Sequence, residues 1–138
     1  MDIDHIFVFS SARGAEVDDL LALGLREGSG RTHPGVGTAN RRIFFENFYL
    51  EILWVENEAE AQDTGELGIW ARSRFRETGY SPFGLCLVNS ARTDALFKHA
   101  QRFQPAFLPA GSALEIITTA PDMPWIFRLP RLGRKNTT

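Results

Sequence analysis

The chain runs twice through one order of elements, and this repetition constrains its fold more than any single motif. Residues 3–9 (IDHIFVF) read as a short strand, apolar on both faces apart from Asp4 and His5, as in a strand covered on both sides. A turn at 10–14 leads into a helix over 15–23, with Val17, Leu20, Leu21 and Leu23 on its apolar side and Gly24 as its stop. Strands follow at 25–27, 41–45 and 48–55, the last two forming a hairpin through a turn at 46–47. From residue 80 the order returns: a strand at 83–88, a helix at 93–103, and strand candidates at 107–108, 113–118 and 125–129, punctuated by Pro105, Pro109, Gly111, Pro121 and Pro124. Between the halves, 56–65 is a polar connector and 66–77 has helical character, with Leu67, Trp70 and Phe75 turned inward. The pattern predicts an α+β domain over residues 1–130, made of modules 1–55 and 80–130 joined by a linker helix within 56–79. The polar, basic residues 131–138 are expected to fray. The halves match in pattern, while their residue identity is low.

Composition narrows the function. A length of 138 residues suits one domain. Lys plus Arg is 15 and Asp plus Glu is 17, a net charge of -2, which argues against a dedicated binder of nucleic acid or anionic membrane. The N-terminus shows no basic, apolar leader, and no apolar run reaches the ~18 residues of a membrane span, so a cytoplasmic protein without membrane or nucleic-acid partners is expected. One Cys excludes an internal disulfide framework or a cysteine-based metal cluster. Three His leave room for a small His/carboxylate site.

Two polar residues interrupt apolar strands. By period-two alternation His5 shares a face with Ile3, Phe7 and Phe9, and Glu51 shares one with Tyr49, Leu53 and Val55. A buried carboxylate is costly unless a cation or several donors compensate it. A divalent ion does so, and an imidazole with a carboxylate suits Zn²⁺, Mn²⁺, Fe²⁺ or Ni²⁺, making His5 and Glu51 candidate metal ligands. The simpler alternative pairs Glu51 with Arg41 or Arg42 and leaves His5 a satisfied core histidine. The Gly-rich segment 28–37 cannot be regular structure by composition. Its glycines and the donors His33, Thr38 and Asn40 suit a ligand-binding loop, although a capped, turn-rich connection explains the same residues. Arg128 either meets an anionic substrate or forms an ion pair. Cys86 reads as an inert buried thiol and His99 as a solvated helix residue.

In order along the chain, Asp4-His5-Ile6, His33-Pro34-Gly35-Val36-Gly37-Thr38-Ala39-Asn40 and Tyr49-Leu50-Glu51-Ile52-Leu53 resemble the glyoxalase-like branch of the vicinal oxygen chelate superfamily, which includes the bleomycin-resistance proteins and dioxygenases. The match is looser over 80–130, through Pro82-Phe83-Gly84-Leu85 and Pro124-Trp125-Ile126-Phe127. The resemblance implies paired βαβββ modules forming a curved mixed sheet around a cleft, and a homodimer. It implies a small-molecule ligand with adjacent oxygens and a divalent-metal-dependent lyase, isomerase or dioxygenase. Glu51 would serve as ligand or catalytic base, His5 as metal ligand, and His33, Thr38, Asn40 and Arg128 as substrate contacts. The second module departs from the pattern: the counterparts of His5 and Glu51 fall near Pro82 or Phe83 and near Phe127, none of which binds a metal. That departure equally suits a metal-free protein that sequesters a small ligand. His33 could replace a missing ligand if its loop folds over the cleft.

Overall fold

A computed structural model describes residues 1–129, so the expected tail at 131–138 lies outside the described residues. The first half comprises β1 (Ile3–Phe9), α1 (Glu16–Ala22), β2 (Arg26–Glu27), β3 (Arg31–His33), β4 (Thr38–Phe44) and β5 (Tyr49–Val55). The linker holds α2 (Glu58–Asp63), a 3-10 turn at Gly65–Leu67, α3 (Ile69–Ser73) and α4 (Phe75–Thr78). The second half comprises β6 (Phe83–Leu87), α5 (Ala91–Leu96), β7 (Gln101–Phe103), β8 (Leu114–Ile117) and β9 (Trp125–Arg128). The nine strands of the described residues form one sheet, in the order β2-β4-β5-β1-β6-β9-β8-β7, with β3 pairing β4 off this path. The two halves meet at an antiparallel β1–β6 seam. Each half then runs outward through a parallel pair, β1 with β5 and β6 with β9, and an antiparallel neighbour, β4 or β8.

Three local expectations are corrected. Part of the Gly-rich segment is a strand after all: β3 pairs with β4 through Thr32↔Ala39 and His33↔Thr38, and the glycines occupy the hairpin turn. The linker is not one helix but a series of short ones, broken where Gly68 takes a left-handed φ of 72°. The helix expected over 93–103 stops at Leu96, and Gln101–Phe103 joins β8 as a strand while 107–108 does not.

Alternation along the strands divides the apolar residues into two layers. Val17 of α1 packs against Ile43 and Ile52 on one face of the sheet. On the opposite, curved face Phe7, Phe9, Leu53, Leu114, Trp125 and Phe127 pack with Leu67 and Ile69 of the linker. The seam is tight: a Cβ on Gly84 would stand 2.0 Å from the Phe7 ring, so only glycine admits that ring over β6. Among the described residues no helix is long and apolar enough to cross a membrane.

Candidate functional site

The curved face encloses a cleft of about 340 Å³. Strand parity decides what lines it. From the first half come His5 and Phe7 of β1, Thr38, Asn40 and Arg42 of β4, and Tyr49, Glu51 and Leu53 of β5, with His33 of β3 at the rim. From the second half come Phe103, Leu114, Trp125, Phe127 and Leu129, all apolar. The cleft therefore has one polar wall and one greasy wall.

Glu51 is the centre of the polar wall and is only 6% exposed. Asn40, two positions along from the β4 residue paired with it, donates Nδ2 to Glu51 Oε2. The amide orientation is settled by its other end, since Asn40 Oδ1 accepts the Arg31 backbone N–H at 2.7 Å. His5 Nε2 stands 3.5 Å from Glu51 Oε1, and His33 Nε2 stands 3.8 Å from Glu51 Oε2. The remaining nitrogen of each ring is also engaged: His33 Nδ1 with Thr38 Oγ1 at 2.8 Å, His5 Nδ1 with Asp4 Oδ2 at 2.8 Å. Both imidazoles thus turn Nε2 towards one carboxylate.

The arginine pairing weighed as the simpler alternative does not form. Arg41 faces the other side of β4 and binds Glu27 and Asp18. Arg42 lies beside Glu51 in register but gives Nε and Nη2 to Ser29 and stacks over Phe44 and Tyr49. Glu51 is compensated instead by the Asn40 amide and the nearby His5 imidazole.

The contact between Asp4 and His5 needs an irregular strand, because consecutive strand residues point to opposite faces. The register of β1 against β6 slips between Ile3 and His5, a bulge at Asp4 that buries both polar side chains and leaves Ile3 exposed. Ile3 is therefore off the His5 face, contrary to the regular alternation expected for this strand. Reading the sequence missed the role of Asp4, although two adjacent polar residues in an apolar strand are the signal for such a bulge. It also missed Tyr49, whose ring stacks on His5 at 4.5 Å, and Cys86, the β6 partner of His5.

Burial and charge act differently on the two histidines. Burial pulls His5 down, but Cys86, the Asp4 hydrogen bond and Glu51 outweigh it and hold its pKa at about 10. Burial dominates at His33 and lowers it below 6.5 despite Glu51. Burial also pushes the Cys86 thiol and the Tyr49 phenol up.

Among the described residues one donor set gathers closely enough to hold a metal. His5, His33 and Glu51 converge from three strands on the cleft, the imidazoles facing different oxygens of the carboxylate, but they do not bring three ligand atoms within 4.8 Å of one another. Asp4, His5 and Cys86 bring ligand atoms within 4.8 Å of one another, but this group is fully buried behind His5. His5 cannot serve both with the same nitrogen, and the Asp4 bond at Nδ1 reserves Nε2 for the cleft.

Among the expected substrate contacts, His33, Thr38 and Asn40 line the cleft. The structure does not bring Arg128 there. Parity sends Trp125 and Phe127 into the cleft and Arg128 to the opposite face, where it binds Asp94 at 2.7 Å and Glu115 at 2.9 Å. Phe83, the expected counterpart of His5, is 48% exposed and also lies outside the cleft. The turn glycines present no free anion-binding amides: the N–H groups of Val36 and Gly37 bond His33 O, and that of Gly35 bonds Glu60.

Comparisons with known proteins agree with this architecture. A solved methylmalonyl-CoA epimerase in complex with methylmalonyl-CoA and NH4+ superposes with a TM-score of 0.60 at 14% identity, covering 98% of each chain. A point variant of the Streptomyces coelicolor methylmalonyl-CoA epimerase, in complex with 2-nitronate-propionyl-CoA, gives 0.63 at 14% identity, covering 94% of this chain and 96% of that one. A hypothetical protein from Bacillus halodurans gives 0.57 at 12% identity, covering 93% and 92%. At such identities the likeness concerns the fold alone. Among curated protein sequences none matches. The sequence profile of the glyoxalase-like domain matches residues 3–134, nearly the whole chain. With its paired modules around one cleft, the chain belongs to the glyoxalase-like domain family of the vicinal oxygen chelate superfamily.

Proposed function

We propose that the cleft binds a small ligand with adjacent oxygens and that Glu51 moves a proton on the carbon beside them, an isomerase- or lyase-type reaction. The observation that supports this reading is the placement of one buried carboxylate on the polar wall of the cleft, facing an apolar wall. Asn40 fixes Glu51 Oε2, while His5 Nε2 and His33 Nε2 lie close enough to donate to an oxyanion formed next to it. Asp4 orients His5, and Thr38 orients His33. The apolar wall of Trp125, Phe127 and Leu129 would hold the rest of the ligand and keep water away.

His5, His33 and Glu51 are not gathered into one metal-binding group, so a divalent ion in the cleft would need the two imidazoles to draw in on Glu51; bound there it would supply Lewis-acid stabilisation of the developing oxyanion. Among the described residues, the second half lines the cleft with apolar side chains alone.

The test is deuterium incorporation from D2O into a panel of small α-hydroxy- and α-oxo-carbonyl compounds, followed by proton NMR. Glu51→Gln should abolish incorporation while preserving the fold. Equal incorporation by wild type and variant would refute a catalytic Glu51.

A second reading, a metal-free binding protein, is favoured by the wholly apolar second-half wall. Elemental analysis of untagged protein, with His5→Ala and Glu51→Ala beside wild type, separates the two. Stoichiometric metal lost in both variants supports the metal enzyme. Ligand binding without metal or proton exchange supports sequestration. We also infer a homodimer from the superfamily resemblance, checked by sedimentation equilibrium.

A further inference from the structure

We propose that a second pocket, on the far side of the Leu67–Trp125 wall, is a subsite for an oxyanion that presents two oxygens in one plane, as a carboxylate or a phosphate ester does. The pocket has a volume of about 240 Å³ and is lined by Arg72, Tyr80, Gln101, Thr118 and Thr119 among others, with Leu67 and Trp125 shared with the main cleft.

Arg72 lines this pocket and carries an uncommitted edge of its guanidinium. This side chain is 4% exposed, and among the described residues no carboxylate lies within ion-pair distance of it. Its Nη1 is committed: it donates to Ser81 O and Met123 O, each at 2.9 Å. Its Nε has no partner, and no hydrogen bond from Nη2 is found among the described residues. An arginine offers a planar oxyanion a two-pronged edge made of Nε–H and one Nη–H. With Nη1 tied back by two carbonyls, the Nε/Nη2 edge is the one left over. The Tyr80 ring, 5.9 Å from the guanidinium carbon, restricts the plane of the fork further.

A purely structural Arg72, tying α3 to the chain at Ser81 and Met123, accounts for Nη1. It leaves a buried charge without a counter-ion and a buried N–H without an acceptor, both unfavourable. Burial also lowers the Arg72 pKa, the direction expected for a cation that lacks its anion. A bound oxyanion supplies both missing partners once the guanidinium turns its Nε edge, which is shielded from solvent, towards it in the pocket. The proposal is independent of the chemistry assigned to Glu51.

The test uses the full chain and NMR detection of the Arg72 side-chain Nε–H and the amides of Gly68 and Thr118. Acetate and inorganic phosphate are titrated separately, with chloride at matched ionic strength as control. Saturable shifts with acetate identify a carboxylate subsite, and with phosphate alone a phosphate subsite; either supports the proposal. Arg72→Lys keeps the charge but loses the fork, and should weaken binding by about tenfold or more. Saturation unchanged in a folded Arg72→Lys, shifts equal to those in chloride, or shifts confined to His5, His33 and Glu51 would each overturn it. If Arg72→Lys does not fold, the wild-type Nε–H titration decides alone.

Discussion

Replacing Asn40 by Asp tests the account of how a carboxylate survives at the polar wall. The substitution is nearly isosteric and retains an oxygen for the Arg31 N–H, which Asn40 Oδ1 now accepts at 2.7 Å. It changes the other end, where the Nδ2 donor to Glu51 becomes a second carboxyl oxygen. A hydrogen bond to a charged acceptor contributes ~1.5–3 kcal/mol, and that is lost whenever both groups are ionised. Two carboxyls sharing one site cannot both ionise cheaply, so the introduced group titrates well above the ordinary carboxylate value of about 3.9. Each unit of that rise costs ~1.4 kcal/mol at pH 7. His5, a cation held at a pKa of about 10, stands 3.5 Å from Glu51 and offsets part of the repulsion. His33, lowered by burial, is largely neutral at pH 7 and offsets little. The expected loss is ~3–5 kcal/mol at pH 7.

The sign with pH follows. A carboxyl whose folded pKa is raised keeps its stability below the unfolded pKa and loses it as pH climbs towards the folded one. Asn40→Asp should therefore approach wild-type stability near pH 4 and fall away progressively to pH 7, measured by urea denaturation at several pH values. Asn40→Ala, which adds no charge, should be destabilised with much weaker pH dependence. A pH-independent Asn40→Asp deficit, or wild-type stability at pH 7, would refute the reasoning.

Three further outcomes test the packing and parity. Gly84→Ala would drive a methyl to within 2.0 Å of the buried Phe7 ring and should cost ~1–3 kcal/mol by thermal or chemical melts; no loss would deny the close seam. Arg128→Ala should lower stability by ~1–2 kcal/mol through Glu115 and Asp94, yet leave ligand affinity in the cleft unchanged by calorimetry. The hydrogen bond from Arg41 lowers the Glu27 pKa, so this pair adds stability that is present above pH 4.5 and lost as pH falls through the folded value. Glu27→Gln should flatten that part of the stability–pH curve, and an unchanged curve would remove the pair as its cause.

Much of the site could be read from the strands. His5 and Glu51 stood out because each interrupts an apolar run, and both face the cleft as alternation requires. The same parity rule, applied to Trp125-Ile126-Phe127-Arg128, sends Arg128 away from a cleft that holds Trp125 and Phe127, so the sequence already carried the argument against it. The Asp4 bulge was harder to read, because alternation fails at the residue that matters. The β3 strand was hidden by glycines whose conformational freedom serves the adjoining turn. Gly37, at a φ of 81°, lets the turn close on α2, where a Cβ would meet Asn57 O at 2.4 Å.

Local periodicity was enough to read the strands that carry the cleft, β1, β4, β5, β6 and β9, and the polar pair His5 and Glu51 within them. What compensates that pair comes from strands distant in the chain. Asn40 lies 11 positions from Glu51 and reaches it across the β4–β5 ladder, His33 arrives by way of β3, and Cys86 comes to His5 across the seam between the halves. Those neighbours follow from strand register, which is set by pairing over the whole sheet. No local window contains it.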